Sequence, residues 1–257
     1  MIKFDCHAHV YERIAPVTGA RYVPEHPAPL EAWRALQARN DIRGGVIVQV
    51  SFLGTDNSQL LTALSGLERH RFAGVAVVDM AVPEDELARL AQGGVRAVRW
   101  NLVAGARLPD PQEGAVMRFL DALRAHGMHL ELQLESARLA GYISALAALP
   151  VPVVIDHMGL PVSADPAHEP WLDALEACRD RGDIHVKLSA PYRGQADVRA
   201  HMERLLGLLG EGRMIWGSDW PHTRHEGVAT YAGALRDVAG RIDDAAAVHR
   251  LYGLRAG

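Results

Sequence analysis

Two hydrophobic periods take turns along this chain. Short runs rich in Val, Ile and Leu, continuously apolar in Val46-Ile47-Val48 and Val153-Val154-Ile155, give way to stretches with apolar residues three and four apart. The first pattern predicts strands covered on both faces, the second helices that pack one stripe. Strands are expected at Ile2–Val10, Gly45–Val50, Ala73–Val78, Val95–Asn101, His129–Leu134, Val151–His157, Ile184–Ser189 and Met214–Asp219. Helices are expected between them, at Leu30–Arg39, Ser58–Arg69, Glu84–Gln92, Gly114–His126, Ala137–Ala148, Pro170–Arg181, Ala196–Leu209 and Val228–Ala239. Strand and helix alternating in this way predict an α/β fold with a parallel sheet, closed at this length into a (β/α)8 TIM barrel over residues 1–257 as one domain. An open doubly wound sheet would carry a glycine-rich phosphate turn after its first strand. Here that strand runs into Asp5-Cys6-His7-Ala8-His9, and no GxGxxG follows any strand. The proline-rich segment Ala15–Pro29 is expected to be a lid or a wall of the site, and Gly159–Pro170 a second such loop.

In a barrel of this kind, chemistry gathers at the carboxyl ends of the strands. Those ends supply His7 and His9, Gln49 and Ser51, Asp79, Arg99 and Asn101, Gln133 and Glu135, His157, Lys187 with Ser189, Tyr192 and Arg193, and finally Asp219 and His222. Residues two apart on a strand share a face, so His7 and His9 aim at one target. Asp219 meets them only if the sheet closes. So many polar groups ending apolar strands cost free energy unless they are paired, which makes a site the simplest account. Each also has a structural reading. The histidines could bond backbone carbonyls, Asp219 could cap a turn before Trp220-Pro221, and Asp79 and Glu135 could cap helices. Arg99 could be a structural ion-pair partner, and Lys187 is expected to face outward or pair with a carboxylate. His26, His70, His126, His168, His201 and His225 are expected to be solvated.

Composition narrows the partners. The 257 residues are 49% hydrophobic with a formal net charge of -4, and no block of like charges suggests a nucleic-acid or membrane surface. Two cysteines, Cys6 and Cys178, make neither a disulfide framework nor a CxxC knuckle. Lys3 and Asp5 interrupt the first apolar run, so a signal peptide is not expected, and the reading is a soluble cytoplasmic protein acting on a small molecule. Oligomeric state stays open.

Taken jointly and in order, Asp5-Cys6-His7-Ala8-His9, Tyr22-Val23-Pro24, Gly54-Thr55-Asp56-Asn57, Val95-Arg96-Ala97-Val98-Arg99-Trp100-Asn101, Asp156-His157-Met158-Gly159, Lys187-Leu188-Ser189-Ala190-Pro191-Tyr192-Arg193 and Trp216-Gly217-Ser218-Asp219-Trp220-Pro221-His222 run the length of the chain. With these motifs the chain resembles the amidohydrolase superfamily, in the branch of TIM-barrel metal-dependent hydrolases that includes 2-pyrone-4,6-dicarboxylate lactonase. The resemblance implies a hydrolase opening a lactone, or a related ester or amide. It implies that His7, His9 and His157 polarise the carbonyl, directly or through a metal, and that Asp219 is the general base. Arg99 and Arg193 would anchor carboxylates. Tyr22, Ser51 and His222 would hydrogen-bond substrate or water, with Gln133 and Tyr192 as further substrate-binding candidates.

Departures from the family qualify this. Strand four offers Arg99 and Asn101 and strand five Gln133, where binuclear members carry a bridging Lys or Glu and a His, so a two-metal centre is not expected. One zinc on His7, His9, His157 and Asp219 is chemically reasonable. The pyrone branch and the charge of Arg99 favour turnover without metal. Arginines expected after strand four and after the His-Met-Gly of strand six are replaced by Ala104-Gly105-Ala106 and Leu160, which points to a monoanionic or neutral lactone. The alternatives are a sugar-lactone lactonase or isomerase, a zinc-dependent decarboxylase of the same superfamily, and a small-molecule binding protein with a relic site.

Overall fold

The strands that the sequence predicts all form, and they lie side by side in chain order. The computed structural model describes residues 1–255. Its strands are β1 (Phe4–Ala8), β2 (Gly44–Val48), β3 (Phe72–Ala76), β4 (Val95–Asn101), β5 (His129–Gln133), β6 (Val153–Ile155), β7 (Ile184–Leu188) and β8 (Met214–Trp216). Each pairs parallel with the next. The helices α1 (Leu30–Arg39), α2 (Ser58–Ser65), α3 (Glu84–Gln92), α4 (Gly114–Ala125), α5 (Ser136–Leu146), α6 (Pro170–Glu176), α7 (Val198–Leu209) and α8 (Tyr231–Val238) follow the strands outside. This is the (β/α)8 TIM barrel. No helix among the described residues is long and apolar enough to cross a membrane.

The alternation along each strand divides the core. In β5, Leu130 and Leu132 pack outward into the large apolar cluster with the helices. His129, Glu131 and Gln133 take the other face. In β7, Ile184, Val186 and Leu188 pack outward, leaving His185 and Lys187 opposite. A second cluster fills the barrel with Phe4, Cys6, Val46, Val48, Val75, Val154 and Ile215. It is capped by Val248, Leu251 and Tyr252 of α9 (Ala245–Tyr252), a helix absent from the sequence expectations.

The seam between β1 and β8 is tied by polar groups. Asp5 accepts hydrogen bonds from the Ser218 backbone at 2.8 Å, the Ser218 hydroxyl at 2.7 Å and the Trp33 indole of α1 at 2.8 Å. Backbone bonds from Asp219 to His7 and from His9 to Trp220, both 2.7 Å, continue the closure. Gly217 is required there, since a Cβ would lie 2.4 Å from that of His7. Between the pairs Asp5↔Gly45 and Ala8↔Ile47, β1 runs one residue longer than β2. Such a bulge re-aims side chains. Phe4 and Cys6 face the interior, Asp5 faces α1, and after the bulge His7 and His9 also turn inward.

Two expectations are corrected, and one left open between two readings is resolved. The strands β6 and β8 end early: His157 (φ 52°) and Met158 (φ 54°) are left-handed just past β6, and β8 stops at Trp216, three residues before the left-handed Asp219 (φ 60°). His201 is buried, not solvated. It shares the packed stripe of α7 with Leu205 and Leu208, and its Nδ1 lies 2.9 Å from the Asp197 carbonyl. Lys187 is buried rather than outward, and it takes the carboxylate pairing that the sequence left open.

Candidate active site

A cavity of about 280 Å³ opens at the carboxyl ends of the strands. His9, Tyr22, Ser51, Arg99, Gln133, His157, Arg193 and Asp219 line it. His7 is fully buried behind these residues, packed against the rings of His9 and His157. The segment Ala15–Pro29 stands as a wall: Tyr11 and Ala28 pair by two backbone hydrogen bonds of 2.9 Å, and Tyr22 packs edge-on to Phe52. Asp79 and Glu135 stay outside. Gln49 is buried but donates to the carbonyls of Asp56 (2.7 Å) and Gly54 (3.4 Å), holding the loop after β2.

Asp219 is the hub. Its Oδ2 accepts from Arg193 Nε and from the Tyr192 hydroxyl, each at 2.7 Å. Tyr192 in turn is 3.0 Å from His222 Nδ1. Tyr192 and His222 therefore stand behind Asp219, whereas the sequence places them against substrate. The other carboxylate oxygen, Oδ1, has no hydrogen-bond partner among the described residues. It lies 3.8 Å from His7 Nε2, 3.8 Å from His9 Nε2 and 3.9 Å from His157 Nε2. Burial pushes the Asp219 carboxyl up, but Arg193 and the imidazoles outweigh it and hold the group well below the usual carboxylate range. Burial pulls His9 and His157 down to about 4, against the attraction of Asp219, and pulls His7 well down with help from Lys187. All three rings are neutral at pH 7, and Tyr192, pushed up by burial and by Asp219, stays a phenol.

The outer nitrogens fix the rings. His9 Nδ1 lies 2.8 Å from the Val48 carbonyl, which can only accept, so the proton sits on Nδ1 and Nε2 presents a lone pair. His157 Nδ1 lies 2.8 Å from the Ser189 hydroxyl, and His7 Nδ1 3.2 Å from Lys187 Nζ. Beneath them runs a layer of buried ions. Lys187 pairs closely with Glu131 and at 3.2 Å with Asp156, and Arg99 Nε pairs with Asp156 at 2.7 Å while its terminal nitrogen donates to Gln133 at 2.7 Å. Burial raises the Asp156 carboxyl, but Lys187 and Arg99 together hold it well below its ordinary value.

Glu131 is absent from the residues that the sequence singles out, and Asp156 has no role among them. The signal for Glu131 is period-two alternation: an acid facing inward between two buried leucines of β5 has to be paired. Arg21, Thr223 and Arg224 also line the cavity without having been expected there. Neither Arg21 nor Arg224 has a carboxylate partner among the described ion pairs. Only folding brings the loops carrying them together.

A buried carboxylate, three neutral imidazoles and paired guanidiniums gather at the mouth of a (β/α)8 barrel, the end where barrel enzymes carry their chemistry. The amidohydrolase family model matches residues 4–254, and the chain belongs to that family of hydrolases. It is 30% identical to the 2-pyrone-4,6-dicarboxylate hydrolase of Comamonas testosteroni over 239 residues, covering 85% of this chain and 76% of that one. It is 28% identical to the 4-sulfomuconolactone hydrolase of Rhizobium radiobacter, covering 86% and 76%. A solved structure of a putative 2-pyrone-4,6-dicarboxylic acid hydrolase from Pseudomonas putida is 32% identical and superposes with a TM-score of 0.83, covering 96% of this chain and 93% of that one.

Proposed function

We propose that the protein opens a small anionic lactone by direct attack of water, without a metal. The observation that carries this is the set of unpaired atoms around Asp219 Oδ1. A water bound there gives one hydrogen to Asp219 Oδ1 and the other to His9 Nε2, which its bond to Val48 leaves as an acceptor. With the Ser189 hydroxyl donating to its Nδ1, His157 carries its proton on Nε2, and it and His7 donate to the lactone carbonyl and to the oxyanion that forms when water adds. Asp219 takes the proton and returns it to the ring oxygen as the acyl–oxygen bond breaks. Tyr192 and Arg193 hold Oδ2, so Oδ1 keeps its aim. Arg193 meets Asp219 through Nε, which leaves its terminal nitrogens for a substrate carboxylate. That carboxylate draws charge off Arg193 and makes Asp219 a stronger base when substrate is in place.

A divalent ion would find donors here but not the right charge. His7, His157 and Asp219 bring one donor atom each within 4.8 Å of one another, which suits a single zinc. Glu131, Asp156 and Asp219, however, are matched by Lys187, Arg99 and Arg193, so a dication would add uncompensated charge to a buried set that is already neutral.

Arg21 and Arg224 shift the substrate reading. Sequence alone counts the arginines missing near Ala104 and Leu160, whereas the wall adds Arg21 and the loop after β8 adds Arg224 at the cavity. Both are exposed and hydrated, so they favour, without requiring, a substrate that carries a carboxylate or sulfonate. Elemental analysis together with a panel of lactones bearing zero, one or two anionic groups, run with and without a strong chelator, tests the reading. Substoichiometric metal, chelator-resistant turnover and the highest kcat/KM on anionic lactones are expected. Arg21→Ala should raise KM about tenfold with kcat little changed. Loss of activity on chelation, or equal turnover of neutral and anionic lactones, would overturn it.

A further inference from the structure

Resting on the lactonase reading above, we propose that Lys187 is a positioning residue that sets the tautomer of His7. A neutral imidazole carries one proton, so whichever group meets Nδ1 decides what Nε2 can do. Two groups reach His7 Nδ1. Lys187 Nζ lies at 3.2 Å with hydrogen-bond geometry, and Asp156 Oδ1 lies at 3.4 Å without it. An ammonium can only donate. Nδ1 is then the acceptor, the proton sits on Nε2, and Nε2 faces the unpaired Asp219 Oδ1 across 3.8 Å as a donor. His7 thereby becomes an oxyanion donor, the opposite of His9, whose proton is committed to Val48. Two neighbouring histidines on one strand carry opposite tautomers because one meets an ammonium and the other a carbonyl.

The lysine is held for this purpose by a built frame. It is fully buried, and an ammonium in the interior is tolerated only when paired. Glu131 and Asp156 supply the pairing. Glu131 is itself fixed from below by the hydroxyl of Tyr252 at 2.5 Å, so α9 braces the lysine from the far end of the barrel. Asp156 is held on its other oxygen by Arg99, and its Oδ1 lies closer to Lys187 Nζ, at 3.2 Å, than to His7 Nδ1, at 3.4 Å. Had Asp156 accepted a hydrogen bond from a protonated Nδ1, the result would be the carboxylate–histidine pairing that presents a bare Nε2 to a metal. The lysine thus selects donor chemistry over ligand chemistry at His7.

Nitrogen NMR of the imidazoles in the full-length protein at pH 7.5 tests this without reference to turnover. His7 should show an unprotonated Nδ1 and a protonated Nε2, with His9 the reverse. A protonated Nδ1 on His7 overturns the proposal. In Lys187→Met, the His7 proton should move to Nδ1 and kcat should fall about 10²-fold, with KM changed far less, as for the loss of one oxyanion donor. Lys187→Arg, which keeps a buried cationic donor, should retain the tautomer and recover part of kcat. A Lys187→Met protein that folds with unchanged tautomer and kcat also overturns it. If Lys187→Met does not fold, the wild-type spectrum still decides. The predicted tautomers without turnover of any lactone would leave the lysine's role standing and remove the lactonase reading instead.

Discussion

Asp219→Asn should lower kcat for lactone opening by about 10²–10⁴-fold, the range for losing a positioned general base. The size follows from the division of labour at the carboxylate. Oδ2 is occupied by Arg193 and Tyr192, so Oδ1 alone is free to take a proton from water. Asparagine keeps the shape but removes the charge, and its amide accepts no proton. Arg193 also loses its counterion and becomes a stronger anchor for an anionic substrate. KM should therefore fall or hold while kcat collapses, a pattern that simple damage to the pocket would not give. Steady-state kinetics on the best anionic lactone checks it. A loss below tenfold would remove Asp219 as the base and leave the histidines to activate water alone.

That hub is partly legible in the sequence. His7, His9, His157 and Asp219 sit where continuously apolar runs stop, so the chain itself marks them as polar groups at strand ends. The barrel is legible too, from alternation of the two hydrophobic periods. Left-handed residues at His157 and Asp219 are not, because a strand pattern does not reveal where the backbone leaves the ladder. Nor is α9: its eight residues carry a modest apolar stripe that makes sense only once the barrel beneath them has closed. Arg21 and Arg224 escape for a related reason. Loop residues have no period, and their convergence on the cavity depends on the Tyr11–Ala28 pairing and on the turns after β8. Tyr192 and His222 stand out in the sequence, yet on the wrong side of Asp219. Spacing tells which residues share a strand end, not which of them stands in front.

The same imidazoles should make the protein sensitive to acid. His9, His157 and His185 are held at about 4, each first of all by burial, and His7 is held well below its ordinary value. Above pH 6.5 these rings are neutral in the folded and unfolded chain alike. As pH falls below that, the unfolded chain binds protons that the folded one refuses until about pH 4, so stability is lost across this window. At 1.36 kcal/mol per unit each of the three contributes about 3 kcal/mol. Asp244, which burial raises to about 7, works the other way: folded, it binds a proton that the unfolded chain releases down to an ordinary carboxylate value, gaining about 4 kcal/mol as pH falls. The balance is a loss of roughly 5 kcal/mol before His7 is counted, comparable with the whole stability of many domains. Circular dichroism should show an acid transition centred between about pH 4 and 6. Asp244→Asn should be more stable than the parent at about pH 8, with the gap narrowing towards about pH 5. Stability unchanged from neutral pH down to about pH 4 would mean that the buried rings take up protons in the folded protein as readily as in the unfolded chain. In that case His9 would lose its lone pair for water just below about pH 6.5, and the arrangement around Asp219 would turn into an ion cluster in mild acid instead of keeping its neutral rings.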